Sequence, residues 1–173
     1  LQKLLSMNNE VFGTLVKGSK DDPAVTKVSV HHFAKVVSGS PLIRPAWFFD
    51  VEQQGEGLVD ITTHLVDMVQ WECFPEQVLT PSDINIVDAR RWPTFISGEE
   101  FKGVTGIDGF PDYLKKDLKD GKLNVYSNGE MIYQIKGVFV KVFVEWKYQA
   151  PPGGGDTHYS VMRGTQCDIA IKQ

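Results

Sequence analysis

The sequence predicts an α+β fold, a mostly antiparallel open β-sheet with helices on one face. Helical patterns are concentrated early in the chain and alternating strand patterns late. The strand–helix–strand alternation that builds parallel sheets is rare, and the late strands carry hairpin signals.

Taken in order, residues 1–17 place Leu4, Leu5, Val11, Phe12, Leu15 and Val16 at helical intervals until KGSKDDP breaks the pattern, which predicts a helix. TKVSVHHFAKVV then alternates as a half-buried strand, with Val28, Val30, Ala34 and Val36 on one side and Lys27, Ser29, His31 and Lys35 on the other. His32 falls on the apolar side, where it either points into a pocket or is a hydrogen-bonded core histidine. SGSPLIRPAW is a turn-rich connection, and WFFDVEQQ is expected as a strand leading to Gly55 and Gly57.

Residues 55–72, GEGLVDITTHLVDMVQWE, predict a helix. At about 100° per residue, Asp60, His64 and Asp67 fall within roughly 60° of one another, a polar stripe. Leu58, Ile61, Leu65, Met68 and Val69 gather on a second face and Val59 and Val66 on a third, so little of the helix suits water and the stripe is expected to line a cleft. A carboxylate one turn before an imidazole can accept its N–H, fix its tautomer and stabilise the imidazolium, as a general base requires. From spacing alone, such a pair is more often an ordinary satisfied helix pair or a partly buried histidine.

INIVDARRW follows as a strand, while SGEEFKGVTG and PDYLKKDLKDG predict short surface helices, the second ended by Gly121. KLNVYSNGEMIYQI carries Asn-Gly between alternating runs, a strong hairpin signal. GVFVKVFVEWKYQAP is a long strand with Val138, Val140, Val142, Val144 and Trp146 on one face and a mixed opposite face, a pattern compatible with pairing of sheets in a homo-oligomer. After PPGGGD, HYSVM and CDIAIK flank RGTQ as a second hairpin.

Composition narrows the function. With 173 residues, 42% hydrophobic and 23% charged, the chain suits a single globular domain over 1–173. A net charge of -4 without a basic run argues against nucleic acid, and no apolar run reaches the ~20 residues of a membrane span. The start has neither an initiator Met nor a signal-peptide pattern, so it reads as a piece of a longer protein and leaves the compartment open. Cys73 and Cys167 form no metal-binding or disulfide pattern and are expected as small buried hydrophobes. The four histidines lack H-x-H or H-x-x-x-H spacing, so no metal site is expected. Gly55 and Gly57 allow close backbone approach, but as G-x-G alone they make no dinucleotide fingerprint.

The order W-F-F-D, then G-E-G-L-V-D-I-T-T-H-L-V-D, resembles the G-G-G-x-x-x-D-x-x-x-H-x-x-D signature of the Gfo/Idh/MocA oxidoreductases, named for glucose-fructose oxidoreductase and inositol dehydrogenase. Glu56 stands where that signature has its middle glycine. The resemblance is strongest over 41–72, and the later strands suit the family's C-terminal domain. It implies the substrate-binding and oligomer-forming C-terminal domain of a two-domain enzyme. The N-terminal Rossmann domain, which binds NAD or NADP, and the E-K-P lysine are both absent from this chain.

By that resemblance, His64 takes the hydroxyl proton of a sugar or polyol during hydride transfer, Asp60 orients it or holds a hydroxyl, and Asp67 supports them. Gly55 and Gly57 become the cofactor-side candidates. Arg44, Trp47, His32 and His158 are substrate-binding candidates, Trp47 as a flat face for a sugar ring, although loop packing accounts for Arg44 and Trp47 equally well. The alternative is a sugar-binding or assembly module without redox activity. A free-standing hydrolase using Asp60 and His64 is weaker, because no nucleophile elbow or metal set accompanies them.

Overall fold

In the computed structural model, which describes residues 2–173, the chain begins with α1 (Gln2–Ser6) and β1 (Val25–Ala34) and continues through a small hairpin, β2 (Val36–Val37) and β3 (Ser40–Pro41). Two helices follow, α2 (Val51–Gln54) and α3 (Ile61–Cys73), then β4 (Ile84–Ile96) and α4 (Gly98–Thr105). The remainder is strand: β5 (Leu118–Lys119), β6 (Lys122–Ile135), β7 (Val138–Gln149), β8 (Thr157–Arg163) and β9 (Asp168–Lys172). These form one open sheet ordered β4-β6-β7-β1-β8-β9, with β5 beside β6. Every neighbouring pair is antiparallel except β1 with β7, so the fold is α+β with a mostly antiparallel sheet, as the patterning predicts. Among the described residues no helix is long and apolar enough to cross a membrane.

The core lies between the helices and one sheet face. Val138, Val140, Val142, Val144 and Trp146 all point into it, as their alternation requires, and share one buried cluster with Leu65 and Val69 of α3 and Phe101 and Val104 of α4. Each fully buried side chain of this size contributes about 1.5–3 kcal/mol. The opposite face carries Lys141, Phe143 and Glu145 and is partly exposed.

Several local expectations are corrected. The first helix stops at Ser6, where the Asn8 side chain accepts the Glu10 and Val11 amides and turns the chain toward buried Phe12; Leu1 lies outside the described residues. WFFDVEQQ is not a strand: Ala46–Phe49 is a 3₁₀ turn, and Asp50 caps α2 by accepting the Glu52 amide. The striped helix starts at Ile61, because residues 55–60 are drawn out as a turn against β6. PDYLKKD is a 3₁₀ turn, and Gly121 belongs to the reversal between β5 and β6.

The Asn-Gly signal is the largest correction. β6 runs straight through Asn128 and Gly129, and the hairpin turns at Lys136-Gly137, both with positive φ. Asn128 is buried at a bulge, where its amide donates to Trp92 O and Thr94 Oγ1 and accepts the Trp146 N–H. Its side chain thus replaces ladder bonds that the bulge removes.

β1 is also turned over. Lys27, Ser29 and His31, the polar side, face the helices together with Val25 and Phe33, while Val28 and Val30 face the open side. This is tolerable because Lys27, with its side chain 1% exposed, is fully satisfied: Nζ lies 2.5 Å from Glu72 Oε2 of α3, 2.8 Å from Ser160 Oγ and 3.4 Å from Gln2 Oε1. The pair fastens α3 to the sheet. Glu72→Ala, which strands the buried ammonium, is expected to destabilise the protein by about 3 kcal/mol in urea unfolding, while Lys27→Met with Glu72→Leu comes close to neutral. Equal losses in both variants would show that the pair is not what matters.

Candidate functional site

The glycine turn sets the geometry. The Gly57 amide donates to Tyr126 O of β6, and a Cβ at Gly57 would collide with the Ser127 carbonyl. Gly129 likewise has no room for a Cβ against Leu58. The close approach that Gly57 permits is therefore to β6. Gly55, at φ +94°, sits at the turn where α2 ends. Glu56, in place of a third glycine, reaches Arg91 of β4 in an ion pair. Docked this way, the turn delivers Asp60 to the start of α3, with its side chain making no capping bond.

Gly55, Gly57 and Asp60 line a depression floored by Phe48 and Trp146, with a volume of about 10 Å³, the room one water needs. Arg44 lies over this floor, its Cζ 4.2 Å from the Phe48 ring centroid and 5.2 Å from that of Trp146. Its Nε donates to Phe33 O at 2.8 Å and its Nη2 to His32 O at 2.9 Å. His31 stacks on Trp146, centroids 4.9 Å apart.

Asp156, which follows the PPGGG loop, organises the neighbouring charges. One oxygen accepts from the Lys35 ammonium and lies 3.2 Å from His31 Nδ1; the other accepts the His32 amide at 3.0 Å and lies 3.3 Å from His32 Nδ1. Facing a carboxylate, His31 Nδ1 carries the proton, so Nε2, 2.7 Å from Ser29 Oγ, accepts the serine hydroxyl. Burial pushes the His31 pKa below its usual range against the pull of Asp156. Burial would raise Asp156, but Lys35 and the histidines hold its carboxyl below the ordinary value. The negative charge of Asp60 reaches both His31 and Arg44.

The candidate residues divide. Asp60, Gly55 and Gly57 line the depression, and Arg44 packs against two of the rings that floor it. Exposed His64, one turn into α3, makes no hydrogen bond to Asp60, so the expected pair is not formed within this chain, and Asp67 is exposed beyond it. The stripe is the solvent-facing side of α3. Trp47 is 47% exposed, its ring 6.4 Å from that of Phe48. His32 is buried on the other face of the sheet from His31, and His158 faces the helices opposite Ser29. Burial, then Lys27, lowers the His158 pKa. Among the described residues, no three His, Cys, Asp or Glu side chains are gathered as a metal site would need. Sequence reasoning missed Phe48, Trp146 and Asp156. An acid closing a glycine-rich loop beside a strand was the one usable signal for Asp156, and nothing local places Trp146 under Arg44.

His31 and His158 give folding a pH dependence with a definite sign. A histidine whose folded pKa lies below the unfolded 6.5 is protonated preferentially in the unfolded chain. Stability is then fully present above pH 6.5 and falls as the pH drops toward the folded values. Urea unfolding from pH 8 to 5 is expected to show this loss, reduced in His31→Gln with His158→Gln. An unchanged slope in the double variant would reassign the effect.

Comparison with known proteins gives this geometry a context. A crystal structure of a putative oxidoreductase from Parabacteroides merdae ATCC 43184 is similar to this chain, with 55% sequence identity and a TM-score of 0.96. The match covers 99% of this chain and 39% of that one, so this chain spans well under half of that protein's length. No curated protein matches. Residues 1–173 match the family model described as "Putative oxidoreductase C terminal domain", and the chain belongs to that family.

Proposed function

We propose that this chain is the substrate-binding and oligomer-forming C-terminal domain of a Gfo/Idh/MocA oxidoreductase, one that oxidises a hydroxyl-bearing carbon of a sugar or polyol with NAD or NADP. The observation that carries the reading is a half-built site. Asp60 lines a depression too small for a sugar ring, Arg44 packs against its aromatic floor, and the His64 face of α3 beside it is left uncovered. A second domain closing on that face completes a cleft, and the family's C-terminal character implies such a domain N-terminal to this one.

The nicotinamide, when bound, supplies the two-electron acceptor. This chain has no phosphate cradle of the glycine-fingerprint kind, and Gly57 is packed against β6, which leaves Gly55 on the rim as its backbone wall. The cofactor therefore rests mainly on the other domain. His64, on the exposed stripe, accepts the substrate hydroxyl proton at an imidazole nitrogen. Asp60 accepts a hydrogen bond from a neighbouring hydroxyl, and Trp47 with Phe48 offers flat apolar surface to a ring.

The test uses the full-length protein: reduction of NAD and NADP across a panel of sugars and polyols, beside a folded His64→Ala. Turnover is expected to fall by about 10²–10⁴ in the variant. Unchanged turnover would remove His64 as the base. Absence of both turnover and nicotinamide binding would overturn the redox reading in favour of a binding module.

A further inference from the structure

The four arginines of the chain are not equivalent. Arg90 pairs with Glu130, Arg91 with Glu56 and Arg163 with Asp22, and their side chains are 65%, 55% and 34% exposed. Arg44 is the arginine whose burial lowers its pKa, and among the described residues it has no ion-pair partner. An arginine losing water without a bound counter-ion is costly unless something else supplies the charge. The acids that reach it, Asp156 and Asp60, act only through space. Asp156 is spent on Lys35, His31 and His32, and Asp60 makes no hydrogen bond to it.

The guanidinium is also fixed. Two donors on one edge are committed to the Phe33 and His32 carbonyls, and the Phe48 and Trp146 rings lie against it. Its backbone is held too, the Arg44 amide donating to Val104 O of α4. What remains is a planar edge, Nη1 with the second hydrogen of Nη2, that has no protein partner among the described residues. That edge has the geometry of bidentate carboxylate recognition. Nearby Asp60 discriminates against a dianionic phosphoryl group more than against a single carboxylate, and it offers an acceptor for hydroxyls beside that carboxylate.

We infer that Arg44 is the specificity-determining residue of this site and that the substrate is a polyhydroxy acid, a sugar-derived monocarboxylate whose carboxylate pairs with the free edge of Arg44 while a hydroxyl donates to Asp60. The inference rests on the oxidoreductase reading for what happens next, but binding can be measured without it.

Calorimetry on the full-length protein would compare gluconate and glucuronate with glucose, sorbitol and glucose 6-phosphate, followed by nicotinamide reduction with each. The acids are expected to bind at least about tenfold tighter than the neutral compounds, the scale of a charge-assisted hydrogen bond. In Arg44→Gln, with thermal unfolding confirming the fold, that preference collapses to about one. Arg44→Lys restores only part of it, because an ammonium cannot present a planar pair of donors. Equal binding of acids and neutral sugars by the wild type overturns the inference. So does an equal loss on both classes in Arg44→Gln, or tighter binding of the sugar phosphate than of the acids. Carboxylate binding that depends on Arg44, with neither turnover of any compound nor nicotinamide binding, would sink the redox reading and leave this one standing. Turnover of neutral polyols with no preference for acids would do the reverse.

Discussion

The site depends on a contact that is steric before it is chemical. The turn at 55–60 can lie on β6 only because Gly57 and Gly129 both lack a Cβ, one against the Ser127 carbonyl and the other against Leu58. A side chain at either position would lift the start of α3 away from the sheet. Asp60 would then leave the aromatic floor, and Leu65 and Val69 would lose their seat against the valines of β7. Interiors packed at crystal density do not absorb such a shift locally. The other end of α3 is held by charge, through Glu72 and Lys27. The helix is therefore pinned at both ends, by absent atoms at one and by a buried ion pair at the other.

Between those pins the polar groups are arranged around two carboxylates with different duties. Asp156 is fully engaged: it neutralises Lys35, fixes the His31 tautomer and ties the loop after β7 to the end of β1. Asp60 bonds to no side chain that would compete for a ligand. The same contrast separates the cations, Lys35 being paired and Arg44 held only by carbonyls and rings. Groups spent on one another hold a structure together, and groups held in place but left unpaired are available to bind.

How much of this could be read from the sequence follows from the range of the forces involved. β7, α4 and the β8–β9 hairpin were legible because their signals are local: strict alternation, a Ser97–Glu100 capping box, a short turn between two strands. The Asn128-Gly129 pair misled because its residues answer to a bulge and to Leu58, partners far away in the chain. β1 was read inside out for a related reason. Alternation counts polar residues as outward, and only the tertiary fold brings Glu72 and Ser160 to Lys27. In the site, Asp60, Arg44 and the glycines stood in one recognisable stretch, whereas Trp146 of β7 and Asp156 of the loop before β8 join them from more than 80 residues later.

The exposed stripe of α3 is the last point of physical tension. Helices of globular domains turn their polar side to water, so exposed His64 and Asp67 need no special cause. Trp71 extends the same stripe by one more turn and is 67% exposed. A large exposed aromatic side chain continuing a line of titratable ones suits a surface that closes against protein. A family defined as the C-terminal part of a longer enzyme supplies a reason for such a surface. On that view the polar stripe and its apolar extension are one feature, a continuous exposed face of α3 that a covering domain would meet along its length.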